Sequence, residues 1–198
     1  MRGKQVVAGC FIVIVTIVLP SVTSTLPERK SYLSPFQDVW KTFLQLSVFV
    51  LYQRSFERDL LVGGDGQCFH GRNYEVNHKE KYALAETYYW DNATAKVINQ
   101  TVYTFPETTE GSEFPNAMAV SPYKDKLVSV YYPFVVSEYD NCDILRSPRH
   151  DNGCELWVTL QGARNVSSAC LFIFDLLCGP NKFQMYDEEF CRDKIQIR

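Results

Sequence analysis

Six cysteines behind a secretory leader constrain this chain more than any other feature. It has seven cysteines in 198 residues, and Cys10 lies in the opening segment. There Arg2 and Lys4 precede an apolar run from Val6 to Leu19, which Pro20 breaks and small polar residues follow from Ser21 to Thr25. A charged start, a short apolar centre and small residues near the cleavage point define a signal peptide, which we place at residues 1–24. The run is short for a helix that must cross a hydrocarbon core of about 30 Å with roughly 20 residues. Cys68, Cys142, Cys154, Cys170, Cys178 and Cys191 remain. In an oxidising compartment they read as three disulfides, and spacing alone leaves their pairing open. Metal binding is the competing use of cysteine. It is disfavoured because no CxxC pair occurs and His70, His78 and His150 are scattered. No metal and no cofactor are expected.

Residues 25–198 make one domain by length. The leader holds two of the 20 basic residues and none of the 23 acidic ones, so the mature chain has a formal charge of −5. That balance argues against nucleic acid, whose affinity rests on Lys and Arg at phosphates. It suits a positively charged ligand better. No second apolar stretch could hold the domain in a membrane, and the chain is read as a secreted monomer. Three acceptor sequons, at Asn92, Asn99 and Asn165, agree with secretion and mark expected surface positions.

Strand signals recur at short spacing. Leu46–Ser55 is rich in β-branched and aromatic residues, and Gly63-Gly64-Asp65-Gly66 is a turn before Gln67–Asn73. Tyr82–Trp90 and Lys96–Phe105 flank Asp91-Asn92-Ala93 as a hairpin. Phe114–Ser121 pairs with Leu127–Val136, and Cys142–Arg146 with Cys154–Leu160. Before them, Ser34-Pro35 reads as an N-cap and first helical position, with Phe36, Trp40, Phe43 and Leu44 at helical spacing, a short plug for an apolar opening. After them, Ser167–Cys178 reads as a helix stopped by Gly179-Pro180. About eight strands followed by a late helix form a mainly β, eight-stranded antiparallel barrel of the lipocalin kind, able to enclose one small ligand.

The most informative stretch is Cys142-Asp143-Ile144, ten residues, Glu155-Leu156-Trp157, twelve residues, and Cys170. In a hairpin, Asp143 and Glu155 can sit opposite each other on one face, and Trp157 shares the face of Glu155. Two inward carboxylates and an aromatic wall suit an aromatic ring bearing an ammonium group. The bland alternative has both acids bonded locally at the rim and Trp157 filling the core.

This pattern resembles the tick salivary amine-binding lipocalins. Cys154 before Glu155, Cys178-Gly179, Tyr186-Asp187, Cys191, Trp40-Lys41 and Arg54-Ser55-Phe56 extend the resemblance over nearly the whole mature chain. It implies disulfides Cys68–Cys191, Cys142–Cys170 and Cys154–Cys178. It also implies ligand contacts from Asp143, Glu155, Trp157 and Tyr123, and a second amine site at Asp59. Two departures weaken that second site: Pro133 stands near an expected acid, and Val62 near an expected aromatic. The function implied is stoichiometric capture of a biogenic amine such as histamine or serotonin. No nucleophile–base motif points to an enzyme. The rival readings are capture of a fatty-acid-derived mediator such as a leukotriene, through an inward Arg or Lys, and loops that grip a host complement or clotting protein. Unpaired acids inside the cavity favour amines, and an inward cation favours lipids.

Overall fold

The computed structural model describes residues 26–196, so the leader and its cleavage point lie outside the described residues. Eight antiparallel strands run β1 (Phe49–Arg54), β2 (Gln67–Asn77), β3 (Tyr82–Asp91), β4 (Lys96–Glu107), β5 (Ala117–Ser121), β6 (Val130–Ser137), β7 (Cys142–Ser147) and β8 (Gly153–Thr159). Each pairs with the next, β8 returns to β1, and β1 closes the barrel on β2. The β1–β2 turn depends on Gly63 and Gly64, both at positive φ (71° and 59°), where a side chain would be strained.

Closure is partial. Only Phe49 and Val50 of β1 meet β2, at Gly71 and His70. Beyond them the two strands part, and β9 (Phe183–Gln184) enters beside Gln53 and Arg54. The amide of Met185 then donates to the Tyr52 carbonyl at 3.0 Å, and the Cys68 amide to the Met185 carbonyl at 2.9 Å. The C-terminal segment thereby satisfies backbone groups that the splayed seam would leave bare. Two residues that follow Pro180-Asn181-Lys182 carry almost no periodic signal, and sequence reasoning missed this strand.

The N-terminal element differs from expectation. Ser34 and Pro35 lie within a 3-10 turn, Ser31–Phe36, and do not start the helix. The Ser34 hydroxyl is engaged by the β4–β5 loop, with Ser112 Oγ at 3.2 Å and the Glu113 amide at 3.4 Å. Helix α1 (Val39–Phe43) begins later, capped by Asp38, whose Oδ1 accepts from the amides of Trp40 and Lys41. Val39 and Phe43 pack on Ala83, Tyr132, Phe134 and Leu145, which closes one end of the barrel.

Helix α2 (Ser168–Cys178) lies against β7 and β8 with Cys170 and Phe174 inward and Gly179 following at φ 82°. Two disulfides staple it, Cys142–Cys170 and Cys154–Cys178, and a third, Cys68–Cys191, ties β2 to α3 (Glu188–Cys191). These are the pairs the resemblance implies. Thiol labelling of denatured, unreduced protein from a secretory host should therefore find no free cysteine, and two or more reactive thiols would contradict the pairing.

The three sequon asparagines are all exposed: Asn92 in the β3–β4 turn, Asn99 on the outer face of β4, and Asn165 after the turn Gly162–Arg164. Glycan is expected at Asn92 at least. An unchanged mass after glycosidase treatment of insect-cell protein would count against it.

Candidate functional site

Strand alternation turns Phe49, Leu51, Phe69, Ala85, Val102, Met118, Leu145 and Trp157 toward a central cavity of about 390 Å³. That lies within the usual range for small-molecule sites, roughly 300–1,000 Å³. Asp59, Asp143, Glu155, Arg54 and Tyr132 share the wall.

The register corrects one expectation. Asp143 stands opposite Trp157 across β7–β8, and Glu155 stands opposite Leu145. The two carboxylates are offset by two residues, so they are diagonal neighbours on the inward face and not a facing pair. On its other side Glu155 faces Arg54 of β1.

Asp143 is buried, and its Oδ1 accepts a very short hydrogen bond from Ser137 Oγ. Ser137 Oγ lies 3.1 Å from Thr42 Oγ1, which extends the chain of hydroxyls to the barrel's closed end. No Lys or Arg forms an ion pair with Asp143 among the described residues. Burial therefore dominates and pushes its carboxyl up to about 7, against a smaller opposing effect of the Ser137 hydroxyl.

Glu155 is equally buried but differently placed. It accepts from the indole N–H of Trp157 at 2.9 Å. Burial raises its ionisation range, while that N–H and the guanidiniums of Arg149 and Arg54 oppose the shift. Asp143 is thus the carboxylate with the least internal compensation.

Asp59 is also buried and on the cavity wall, but it is occupied. Its Oδ1 accepts from the amides of Leu61 (3.0 Å) and Val62 (3.1 Å), and its carboxylate takes both Nε and Nη2 of Arg149. Arg149 Nη2 also donates to the Tyr132 hydroxyl at 2.8 Å, and the guanidinium lies 4.9 Å from the Tyr132 ring centre. Arg54, almost fully buried, spends Nη2 on the carbonyls of Glu57 and Gly64 and so clamps the β1–β2 loop.

Tyr123 is brought nowhere near this group: it is 57 % exposed in the β5–β6 loop and absent from the cavity wall. Neighbouring Pro122 and Val128 line the cavity instead. Pro133 is off the wall, and Val62 is on it beside Leu51, Phe69 and Met185. Sequence reasoning missed Ser137, Tyr132 and Arg149. The first had a usable signal, since a tight β6–β7 turn sets Ser137 across from Asp143. Arg149 lies in a loop, where no periodicity predicts a direction.

Among the described residues, Glu138, Cys142 and Cys170 form the one cluster of metal-ligand type. Its two sulfurs are bonded to each other and are not free to ligate.

A closed antiparallel barrel with an inward acidic and aromatic wall defines a lipocalin, a ligand-binding and not a catalytic fold. The chain belongs to the tick histamine-binding protein family, whose model matches residues 27–193. Among solved structures, it is similar to AM182 in its serotonin complex, at 16 % identity over 75 % of this chain and 89 % of that one, with a TM-score of 0.52. It is similar to Japanin from Rhipicephalus appendiculatus bound to cholesterol, at 16 % identity over 75 % and 97 %, with a TM-score of 0.55. Insecticyanin from the tobacco hornworm Manduca sexta matches at 12 % identity over 76 % and 82 %, with a TM-score of 0.50. At such identities the likeness concerns the fold.

Proposed function

We propose that this protein is a secreted scavenger of a small aromatic monoamine of the histamine or serotonin type, acting by capture and removing a host mediator at a feeding site. The observation that carries the reading is Asp143, a buried carboxylate on the cavity wall whose only hydrogen-bond partner among the described residues is Ser137 and which faces Trp157. A buried ionised acid without a cation is costly unless something compensates it. An ammonium group supplies the missing charge, and Trp157 a flat face for its ring.

Asp143→Asn should weaken histamine or serotonin binding by about 2 kcal/mol, roughly thirty-fold, because an uncompensated acid is removed. Glu155→Gln should cost less, because Arg54 and Arg149 already balance that charge. Trp157→Leu should also weaken binding, though it disturbs packing as well. If Asp143→Asn and Glu155→Gln both bind amines as wild type does in titration calorimetry, these acids are structural and the amine reading loses its support.

One observation favours a lipid mediator instead. Arg54 Nε is buried without a hydrogen-bond partner among the described residues, as an anchor for a lipid carboxylate would be, and the similar fold of Japanin holds cholesterol. On that reading Asp143→Asn leaves fatty-acid affinity equal or better.

A further inference from the structure

Strand β4 is longer than the neighbour that covers it. It runs Lys96–Glu107, and β3 pairs with it from Lys96 to Thr104 without a register shift. On its other side β5 meets only Tyr103–Glu107. Among the described residues no strand pairs with Lys96–Val102 on that side. The loop after β5 does not fill the gap, because Lys124 and Lys126 draw it back to Glu80 and Glu107, at 2.6 Å each.

Alternation fixes what this edge presents. The Glu107 carbonyl accepts from the Asn116 amide at 3.0 Å and so points away from β3, whereas the Gln100 carbonyl accepts from the Thr87 hydroxyl at 3.3 Å and so points toward it. The N–H and C=O of Val97, Asn99 and Thr101 therefore face the open edge. Exposed edges are ordinarily guarded by charges, proline or bulges. This one has no proline, glycine or bulge, and its only charge is Lys96 at one end. At its centre stands Asn99, exposed, with Thr101 exposed on the same face, so the sequon Asn99-Gln100-Thr101 is fully presented.

We propose that an N-glycan at Asn99 guards this edge, and that the chain without it pairs through β4 with a second copy of itself. The edge is its own complement. A two-fold axis at Asn99 sets Asn99 against Asn99 and Val97 against Thr101 of the second copy, so every outward N–H and C=O of the three residues finds a partner. The two Lys96 side chains fall at opposite ends, and like charges do not meet. Glycans on both copies would collide on the axis, where facing Cα atoms are about 5.5 Å apart. Sugar at Asn99 and pairing at β4 thus exclude each other, whatever ligand the barrel holds.

The test is the mass in solution of protein secreted from insect cells, read by sedimentation up to millimolar concentration. Wild type should carry glycan at Asn99 in glycopeptide spectra and remain a monomer. Asn99→Gln and Thr101→Ala, which remove the sequon at different atoms, should each double in mass as concentration rises. Thr101→Pro also removes the sequon, but it takes away an outward N–H that β3 does not use, so it should stay monomeric. Asn99→Gln/Val97→Pro should behave alike, and it replaces Thr101→Pro should that variant fail to show a cooperative melt. An empty Asn99 in wild type, monomer or dimer, would overturn the guard. Asn99→Gln and Thr101→Ala that stay monomeric would overturn the pairing. So would proline variants that dimerise as readily as Thr101→Ala, or a different chain recovered on the edge at constant ratio.

Discussion

Glu28→Ala should lower the stability of this protein by about 3–5 kcal/mol, the expected cost of leaving one partner of a buried ion pair alone. Glu28, in the segment that leads to the barrel, takes Arg146 Nε at 2.6 Å and Nη2 at 3.1 Å, with side chains 1 % and 5 % exposed. Arg146 also donates to the Asn152 carbonyl at 2.9 Å, and Gln37 Nε2 holds the Glu28 and Val135 carbonyls. The pair fastens the leading segment to the outer face of β7. In a domain of this size each kcal/mol moves the melting point by roughly 2–4 °C, so a fall of at least about 6 °C is expected. The double variant Glu28→Met/Arg146→Met should recover much of it, since two apolar side chains leave no uncompensated charge. A loss below about 1 kcal/mol for Glu28→Ala would show that the contact contributes little.

That ion pair also marks a limit of sequence reasoning. Glu28 and Arg146 are 118 residues apart, and neither position is distinctive by composition or spacing. What was legible came from local periodicity: eight strands found within a few residues of their ends, the late helix with Gly179 after it, and the inward face shared by Asp143, Glu155 and Trp157. What was not legible required long-range register. The facing of Asp143 and Trp157 follows from where the β7–β8 turn falls, and a shift of two residues was enough to mistake a diagonal pair for an opposite one. Arg149 reaching Asp59 joins two loops, and loops carry no alternation to read. The helix start was misread because Ser34 and Asp38 both suit an N-cap. The choice fell to tertiary contacts, with Ser34 engaged by the β4–β5 loop.

The second large effect is on pH. A monoamine stays charged well above neutrality, so the protonation of the site sets the dependence. Asp143 ionises at about 7 in the fold against an ordinary value of 3.8, because burial disfavours its charge. A cation binds the ionised form, so Asp143 must lose its proton first. Affinity should therefore climb about tenfold per pH unit from roughly pH 5 to 7 and level off above. Stability runs the other way. A carboxyl whose folded value is raised costs nothing below about pH 4. It destabilises progressively as pH rises through 7, by roughly 4 kcal/mol for a shift of about three units. Asp143→Asn should accordingly melt higher than wild type at pH 8, by at least about 3 °C, while binding amine more weakly. A variant that lost both stability and affinity would show Asp143 to be a structural residue.

Capture of an ammonium by Asp143 is tested by titration calorimetry of wild type and Asp143→Asn with serotonin across pH 5.5–8.5, in two buffers of different ionisation enthalpy. Wild type should bind one equivalent, release up to one proton below pH 7, and gain affinity with pH up to a plateau. Asp143→Asn should bind more weakly, with most of the proton release and slope gone. Serotonin binding that is equally tight in both proteins, with the same proton release, would contradict a role for Asp143 in holding the amine.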